Sequence, residues 1–188
     1  MSGDGTQVGD EICIGEECFY VISSTTDTVT MLSKYNLYVG NSVDLDVNVT
    51  PLASPTGKQS ELAKGMLAGT DEWYGTTAFS NTDSTYSGSI VEGYVNNYNS
   101  YLITQGVTPI EARLITKDEL IGLGCSEYSW SCSAAPSWVY ATSYWSGLAS
   151  DAILVWRVYS NTHFGYSYYY DSYYFGVRPV ITISRSLI

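Results

Sequence analysis

The sequence predicts an α+β fold with antiparallel sheets and two helices. Residues 7–34 alternate in strand fashion and are rich in β-branched and aromatic side chains. Capping-box sequences at Ser89 and Thr116 mark the starts of two helices. Residues 138–183 then return to strand-like alternation. This order of strands, helices and strands indicates an α+β domain with an antiparallel sheet.

The amino-terminal strands are predicted to form a small meander. Strands at 11–14 and 18–22 are joined by a tight turn, and a third strand follows at 28–32. Residues 1–6 are interpreted as a linker remnant of a truncated chain, from which an export or anchoring segment has been removed. Residues 41–88, rich in Pro, Gly, Ser, Thr and Asn, are predicted to be a loop-rich insertion.

Two helices follow from their capping residues. Ser89 begins a helix over 89–105, in which the apolar positions have helical spacing. A short strand at 112–115 precedes Thr116, which begins a second helix through Leu123. Each start also has a glutamate three positions later, as a capping box requires.

The four cysteines form two closely spaced pairs, Cys13 with Cys18 and Cys125 with Cys132. The first pair fits a hairpin whose cysteines face each other, and the second fits a loop closed by its own disulfide. Each bridge would contribute about 2 kcal/mol in the chain-entropy model. Disulfides are favoured, with free thiols or a zinc site as the alternatives, because zinc sites usually have closer cysteine spacing and a histidine.

The charge of the chain excludes several classes of partner. Its formal net charge is −11, with only 8 basic residues. Nucleic acids and anionic membranes are bound through Lys and Arg, so neither is expected as a partner. No apolar run approaches the length of a spanning helix.

Tyrosine dominates the carboxy-terminal quarter. Nine of the 18 tyrosines lie between Tyr140 and Tyr174, and residues 159–175, here called the tyrosine stretch, combine tyrosine with Ser, Asn, Gly and Asp. Antibody binding loops have this composition, because rigid amphipathic rings supply contact area while small polar residues adapt. The stretch is therefore predicted to be a binding surface. The alternatives are an aggregation-prone tract and an aromatic face for homotypic packing.

Three segments resemble C-type-lectin-like domains of bacterial and phage surface proteins. Residues 112–120 (ARLITKDEL) resemble the entry into their second helix, Trp145 and Trp156 resemble their paired core tryptophans, and residues 175–181 (FGVRPVI) resemble their closing strand. The resemblance covers residues 90–185. It implies a single C-type-lectin-like domain of 188 residues, in which the amino-terminal strands pair with the closing strand.

Within that fold, the tyrosine-rich strands resemble the variable proteins of diversity-generating retroelements. In that family, mutagenic reverse transcription alters adenines in AAC-type codons, which cannot become Lys, Glu, Gln, Met or Trp. All five residue types are absent from 157–177. The resemblance implies that 138–183 form variable-region ligand-binding strands. The predicted ligand contacts are Ser150, Asp151, Ile153, Arg157, Tyr159, Asn161, His163, Tyr166, Tyr168, Tyr170, Ser172, Tyr173 and Tyr174.

No catalytic centre or cofactor is predicted. His163, the only histidine, has no recognisable nucleophile context and is interpreted as a contact residue rather than a base. Asp151, Asn161 and Asp171 could supply oxygens for calcium, as in animal C-type lectins, but calcium needs about six to eight clustered oxygens. Formylglycine-generating enzymes share the fold but need cysteines in the carboxy-terminal part, and none follows Cys132. We therefore expect no metal and no enzymatic reaction.

Two arginines have different predicted roles. Arg178 is predicted to hydrogen-bond backbone groups at the base of the binding loops, with ligand contact as the alternative. Strand alternation predicts that Arg157 and Tyr159 face the ligand if Trp156 and Val158 face the core.

The combined prediction is an extracellular or cell-surface protein that binds a protein or glycan on another cell or on a phage host. The resemblance of the amino-terminal strands to ectodomains of pilin-like proteins implies attachment to a pilus or cell envelope through a missing amino-terminal segment. The main alternative is a minor pilin or surface-fibre subunit that packs its tyrosine face against a neighbouring copy. A carbohydrate-binding module is the third possibility.

Overall fold

The computed structural model describes residues 6–39, 58–60, 65–66, 73–171 and 174–188, and at 65–66 and 73–74 it describes the backbone alone. Most of the predicted insertion at 41–88 therefore lies outside the described residues. The strands are β1 (Glu11–Ile14), β2 (Glu17–Ser24), β3 (Thr28–Ser33), β4 (Gly65–Met66), β5 (Trp73–Tyr74), β6 (Glu111–Leu114), β7 (Tyr144–Ala149), β8 (Leu154–Val158), β9 (Phe164–Tyr168) and β10 (Pro179–Ser184). The helices are α1 (Ile90–Thr104) and α2 (Lys117–Gly122), with 3₁₀ turns at Ser137–Tyr140 and Arg185–Leu187.

The strands form antiparallel sheets, which confirms the predicted α+β class. A five-stranded sheet has the order β1-β2-β3-β10-β6, and a three-stranded sheet has the order β7-β8-β9. β4 and β5 pair as a short ladder. Strand β10 lies between β3 and β6, with Ile181 opposite both Met31 and Ala112. The amino-terminal strands thus pair with the closing strand, as predicted.

The five-stranded sheet contributes residues to two separate hydrophobic clusters. Met31 and Ile181 belong to the first cluster, together with the buried side chains of α1. Their neighbours Leu32 and Val180 belong to the second cluster, together with Leu120 of α2. Successive strand residues point to opposite faces, so this division means that both faces of the central strands are covered.

The two helices begin at the predicted residues, but their caps differ. At α2 the full capping box is present: Thr116 Oγ1 accepts from the Glu119 amide, and the Glu119 carboxylate accepts from the Thr116 amide. At α1, Ser89 Oγ accepts from the Glu92 amide at 3.1 Å. The reciprocal bond is missing there, because the Ser89 amide donates to the Tyr86 carbonyl. The Glu92 carboxylate instead accepts from the Gly88 amide at 2.5 Å, so the capping-box prediction at α1 was half wrong.

Both predicted disulfides are present, Cys13–Cys18 between β1 and β2 and Cys125–Cys132 across a short loop. The sulfurs are therefore neither free thiols nor thiolate ligands, although Glu11 lies beside the first pair. Two disulfides indicate that the chain folds in an oxidising, non-cytoplasmic environment. Within the described residues, no helix has the length and apolarity needed to span a membrane.

The carboxy-terminal strands are shorter than predicted at one end. Trp138 lies in a 3₁₀ turn rather than a strand, and β7 begins six residues later at Tyr144. Trp145 and Trp156 are buried, as predicted for core residues, but they belong to different hydrophobic clusters. Gly176 passes so close to Asn36 and Gly75 that a Cβ atom there would collide with both.

Candidate ligand-binding surface

The antiparallel pair of β8 and β9 carries three of the predicted contact residues, Arg157, Tyr166 and Tyr168. Trp156 lies opposite Tyr166 and Leu154 opposite Tyr168, whereas Arg157 lies opposite Gly165. Directly opposed residues share a face of a sheet, and successive residues alternate. Tyr166 and Tyr168 therefore lie on the Trp156 side, and Arg157 lies on the other side. The predicted contacts do not form one continuous face.

The Trp156 side carries a row of partly exposed aromatic rings, here called the aromatic ridge: Trp130, Tyr166, Tyr168 and Tyr170. The Trp130 and Tyr166 rings are 5.4 Å apart, edge to face. Tyr168 follows two residues after Tyr166 on the same face of β9, and its ring stacks on that of Tyr170 at 5.1 Å. The four ridge residues are well exposed: Trp130 is 42% exposed, Tyr166 40%, Tyr168 45% and Tyr170 55%. Ring contacts thus join the residues of the ridge in two pairs, and all four rings remain open to solvent.

Trp130 was missed as a candidate contact because it lies outside the tyrosine stretch. It belongs to the loop closed by Cys125–Cys132, has a positive φ of 53°, and stacks on Trp156 at a centroid distance of 6.0 Å. Its carbonyl accepts from the Phe164 amide at 3.1 Å, which joins the loop to β9. The signal in the sequence was a tryptophan in a short polar loop between two cysteines.

Below one end of the ridge, Lys117 lies 4.4 Å from the centre of the Trp156 ring. Its ammonium also pairs with the Glu127 carboxylate in the disulfide loop. The Lys117–Glu127 ion pair joins α2 to the disulfide loop on the Trp156 side. Because the two charges compensate each other, the pair presents little net charge to a ligand.

Arg157 is only 8% exposed, so the structure does not present it as a ligand contact. Its Nε donates to Ser167 Oγ at 3.1 Å, and its Nη1 lies 2.6 Å from His163 Nδ1. The guanidinium also lies over the Tyr159 and Phe175 rings, at 5.5 Å and 5.3 Å from their centres. Burial lowers the pKa of Arg157, and nearby Tyr159 and Asp171 oppose that effect. Arg157 therefore holds Ser167, His163 and Tyr159 in place on the side of the sheet opposite the ridge.

The contact with Arg157 also defines the state of His163. Because a guanidinium can only donate, Nδ1 of His163 must be the acceptor, so the proton of the neutral ring is on Nε2. Burial, followed by the charge of Arg157, lowers the pKa of His163. The ring is thus a neutral, exposed residue whose Nδ1 is occupied by Arg157.

Several predicted contacts also stabilise turns. Asp151 Oδ1 accepts from the amides of Ile153 and Leu154, at 2.8 Å and 2.9 Å, in the β7–β8 turn. Asn161 Oδ1 accepts from the His163 amide at 3.1 Å in the β8–β9 turn. The side chains of these turn residues, with that of Ser150, are exposed.

Asp151 and Asn161 lie at opposite ends of β8. A strand of that length separates its ends by about 14 Å. The two side chains therefore cannot ligate the same calcium ion, which needs oxygens at about 2.4 Å.

The remaining predicted contacts lie near the end of the tyrosine stretch. Tyr174 is exposed, with its ring centre 6.1 Å from that of Tyr159. Tyr159 is partly buried and packs edge to face on Phe175 at 5.4 Å. Ser172 and Tyr173 lie outside the described residues.

Arg178 is fully buried and bonds backbone carbonyls, as predicted for an anchor. Its Nε donates to the Ser33 carbonyl at 2.7 Å, Nη1 to the Val139 carbonyl at 3.1 Å, and Nη2 to the Lys34 carbonyl at 3.3 Å. The guanidinium lies 5.0 Å from the centre of the Tyr144 ring. Arg178 therefore joins the end of β3 to the 3₁₀ turn at Ser137–Tyr140.

Comparisons of the chain with protein-family models, curated proteins and solved structures found no match.

Proposed function

We propose that this protein is a non-enzymatic ligand-binding protein and that the aromatic ridge is its principal contact surface. The observation that supports this most is the ridge itself, four rings in an ordered row that are each 40–55% exposed. Tyr and Trp are enriched among the residues that contribute most to binding energies, because they offer a large rigid area with polar ends. Because these rings contact one another on a folded scaffold, ordering them on binding costs little conformational entropy.

The proposed partner is a protein or glycan on another cell or on a phage host. The net charge of −11 supports a neutral or basic partner and argues against nucleic acid. The two disulfides support an extracellular or cell-surface location. We also propose, from the residue composition of 157–177, that the tyrosine-rich strands are diversified by a retroelement.

The binding test compares the wild-type protein with a Tyr168→Ala/Tyr170→Ala variant on a glycan array and on a panel of bacterial cells. We expect the variant to lose binding while its melting temperature stays close to wild type. Tyr128→Ala is the matched control, because Tyr128 is 91% exposed but does not belong to the ridge. A large fall in melting temperature of the double variant would instead show that these rings form part of the core. Retained binding would show that the ridge is not the contact surface.

Sedimentation at increasing protein concentration tests the alternative of a fibre or pilin subunit. Association that depends on concentration and is lost in the same double variant would favour homotypic packing over ligand binding. The diversification proposal has its own test in the encoding DNA. A near-copy of codons 140–180 that differs at adenines, beside a reverse-transcriptase gene, would support it, and its absence would favour a fixed adhesin.

A further inference from the structure

A second candidate site lies away from the aromatic ridge, between the end of β3 and the 3₁₀ turn at Ser137–Tyr140. It is a cavity of about 470 Å³. Ligand pockets in proteins usually have volumes of about 300–1,000 Å³ and combine aromatic walls with a few polar groups. Residues that line this cavity include Tyr20, Lys34, Tyr35, Trp138, Tyr140 and Ser160.

The two walls of the cavity are held together by the buried Arg178. One wall carries Lys34, whose carbonyl accepts from Arg178 Nη2, and the other carries Trp138 and Tyr140 on either side of the Val139 carbonyl that accepts from Nη1. The Tyr20 and Trp138 rings stack directly on each other, with ring centres 4.9 Å apart and ring planes at 19°. The relative position of the walls is therefore fixed before a ligand arrives.

The rim near β7 is also held by hydrogen bonds. Thr142, which lines the cavity, donates to Asn36 Oδ1 at 2.9 Å, and Asn36 Nδ2 donates to the Ser143 carbonyl at 3.0 Å. The Ser160 amide donates to Ser143 Oγ at 2.9 Å. Preorganised walls reduce the entropic cost of binding, which distinguishes a built pocket from a gap between loops.

Charge restricts the class of ligand. Lys34 lines the cavity, and its positive charge disfavours a cation, which the aromatic rings alone would otherwise attract. The same ammonium is 2.6 Å from the Glu11 carboxylate, which compensates its charge and disfavours an anion. Ring faces, hydroxyl groups and a neutralised ion pair are suited to a neutral ligand with apolar faces and several hydroxyl groups.

We propose that this cavity binds a neutral sugar, with Trp138 contacting the apolar face of the sugar ring and the polar residues of the rim bonding its hydroxyls. The site is independent of the ligand surface proposed above, because none of its lining residues belongs to the ridge.

The test uses the intact 188-residue chain and methyl glycosides of glucose, galactose, mannose and N-acetylglucosamine as probes. N-acetylneuraminic acid and choline serve as charged comparators. Saturation-transfer-difference NMR detects contact, and tryptophan fluorescence titration gives the dissociation constant. We expect at least one neutral glycoside to bind, and neither charged compound. Binding of none of the four, or of a charged compound only, would overturn the proposal.

Two variants locate the binding. Trp138→Ala should weaken it by about tenfold or more, whereas Tyr128→Ala should leave it unchanged, because Tyr128 is exposed and neither lines the cavity nor belongs to the ridge. Ser160→Trp at the exposed rim should also block the site, and it decides the question if Trp138→Ala fails to fold. Sugar binding that survives Ser160→Trp would refute the assignment. Sugar binding that is lost only in the Tyr168→Ala/Tyr170→Ala variant would do so too, because the sugar would then lie on the ridge.

Discussion

Arg178→Met should be among the most destabilising substitutions in this chain. Arg178 is fully buried, and its guanidinium donates to three backbone carbonyls. In the variant, the Val139 carbonyl keeps the hydroxyl of Tyr144 as a donor at 2.6 Å. The carbonyls of Ser33 and Lys34 lose their bond to Arg178.

The magnitude follows from those two lost donors. A buried polar group left without its partner costs about 1–3 kcal/mol. Burial lowers the pKa of Arg178, and the nearby Tyr144 and Tyr20 hydroxyls oppose that effect. The desolvation of the charge that methionine would relieve offsets only part of the loss. We expect the free energy of unfolding to fall by about 3–5 kcal/mol, a large share of the roughly 5–15 kcal/mol typical of a folded domain.

Urea unfolding measures this directly. With a slope of about 2 kcal/mol per molar, the midpoint should fall by about 2 M. Arg178→Lys should be intermediate, because an ammonium keeps the charge but cannot reach both walls as a planar fork does. Lys58→Met is the matched control, because it removes one positive charge from an exposed side chain and should change the midpoint little. An unchanged midpoint in Arg178→Met would refute the reasoning that these carbonyl bonds stabilise the fold.

Two further predictions concern a buried carboxyl and a disulfide. Burial raises the pKa of Glu17 above its ordinary value of 4.5, although bonds from the Tyr98 hydroxyl and the Gln59 amide oppose that shift. The carboxyl thus favours folding most when protonated, and this contribution declines as pH rises through 4.5 towards the native pKa. In Glu17→Gln, the free energy of unfolding should therefore fall less over that pH interval. Urea unfolding at several pH values measures this, and a pH profile equal to that of wild type would contradict the prediction. Replacing Cys125 and Cys132 by serine should lower the free energy of unfolding by about 2 kcal/mol, because the bridge closes a short loop; a midpoint equal to that of wild type would argue against this.

Local features of the fold were predictable because they depend on residues close in sequence. The hairpin of β1 and β2, the helix starts at Ser89 and Thr116, and both disulfides each involve groups within about ten positions of one another. The half-formed capping box at α1 shows the limit of prediction from local sequence. The Ser89 amide is used by the Tyr86 carbonyl in the preceding turn, which the two capping residues alone do not reveal.

The candidate surface was predictable in composition but not in geometry. The tyrosine stretch showed where exposed rings would be found, and Tyr166, Tyr168, Tyr170 and Tyr174 are exposed. Alternation within β8 correctly separates Trp156 from Arg157. Alternation alone does not show which residues of β9 lie on the same face as Trp156 and which lie on the same face as Arg157. The register between β8 and β9 determines this.

The sequence by itself determined the α+β class, the helix starts, the two disulfides and the concentration of tyrosine in the last quarter, since each is set by local spacing or composition. Only the tertiary structure decided that Trp130 joins the tyrosines in one ridge, that Arg157 is buried on the other side of the sheet against His163 and Tyr159, and that Arg178 joins the two walls of a cavity. Those arrangements bring together residues far apart in sequence, such as Ser33 and Arg178 at a separation of 145 positions. Strand register and packing of the whole chain determine which of them meet.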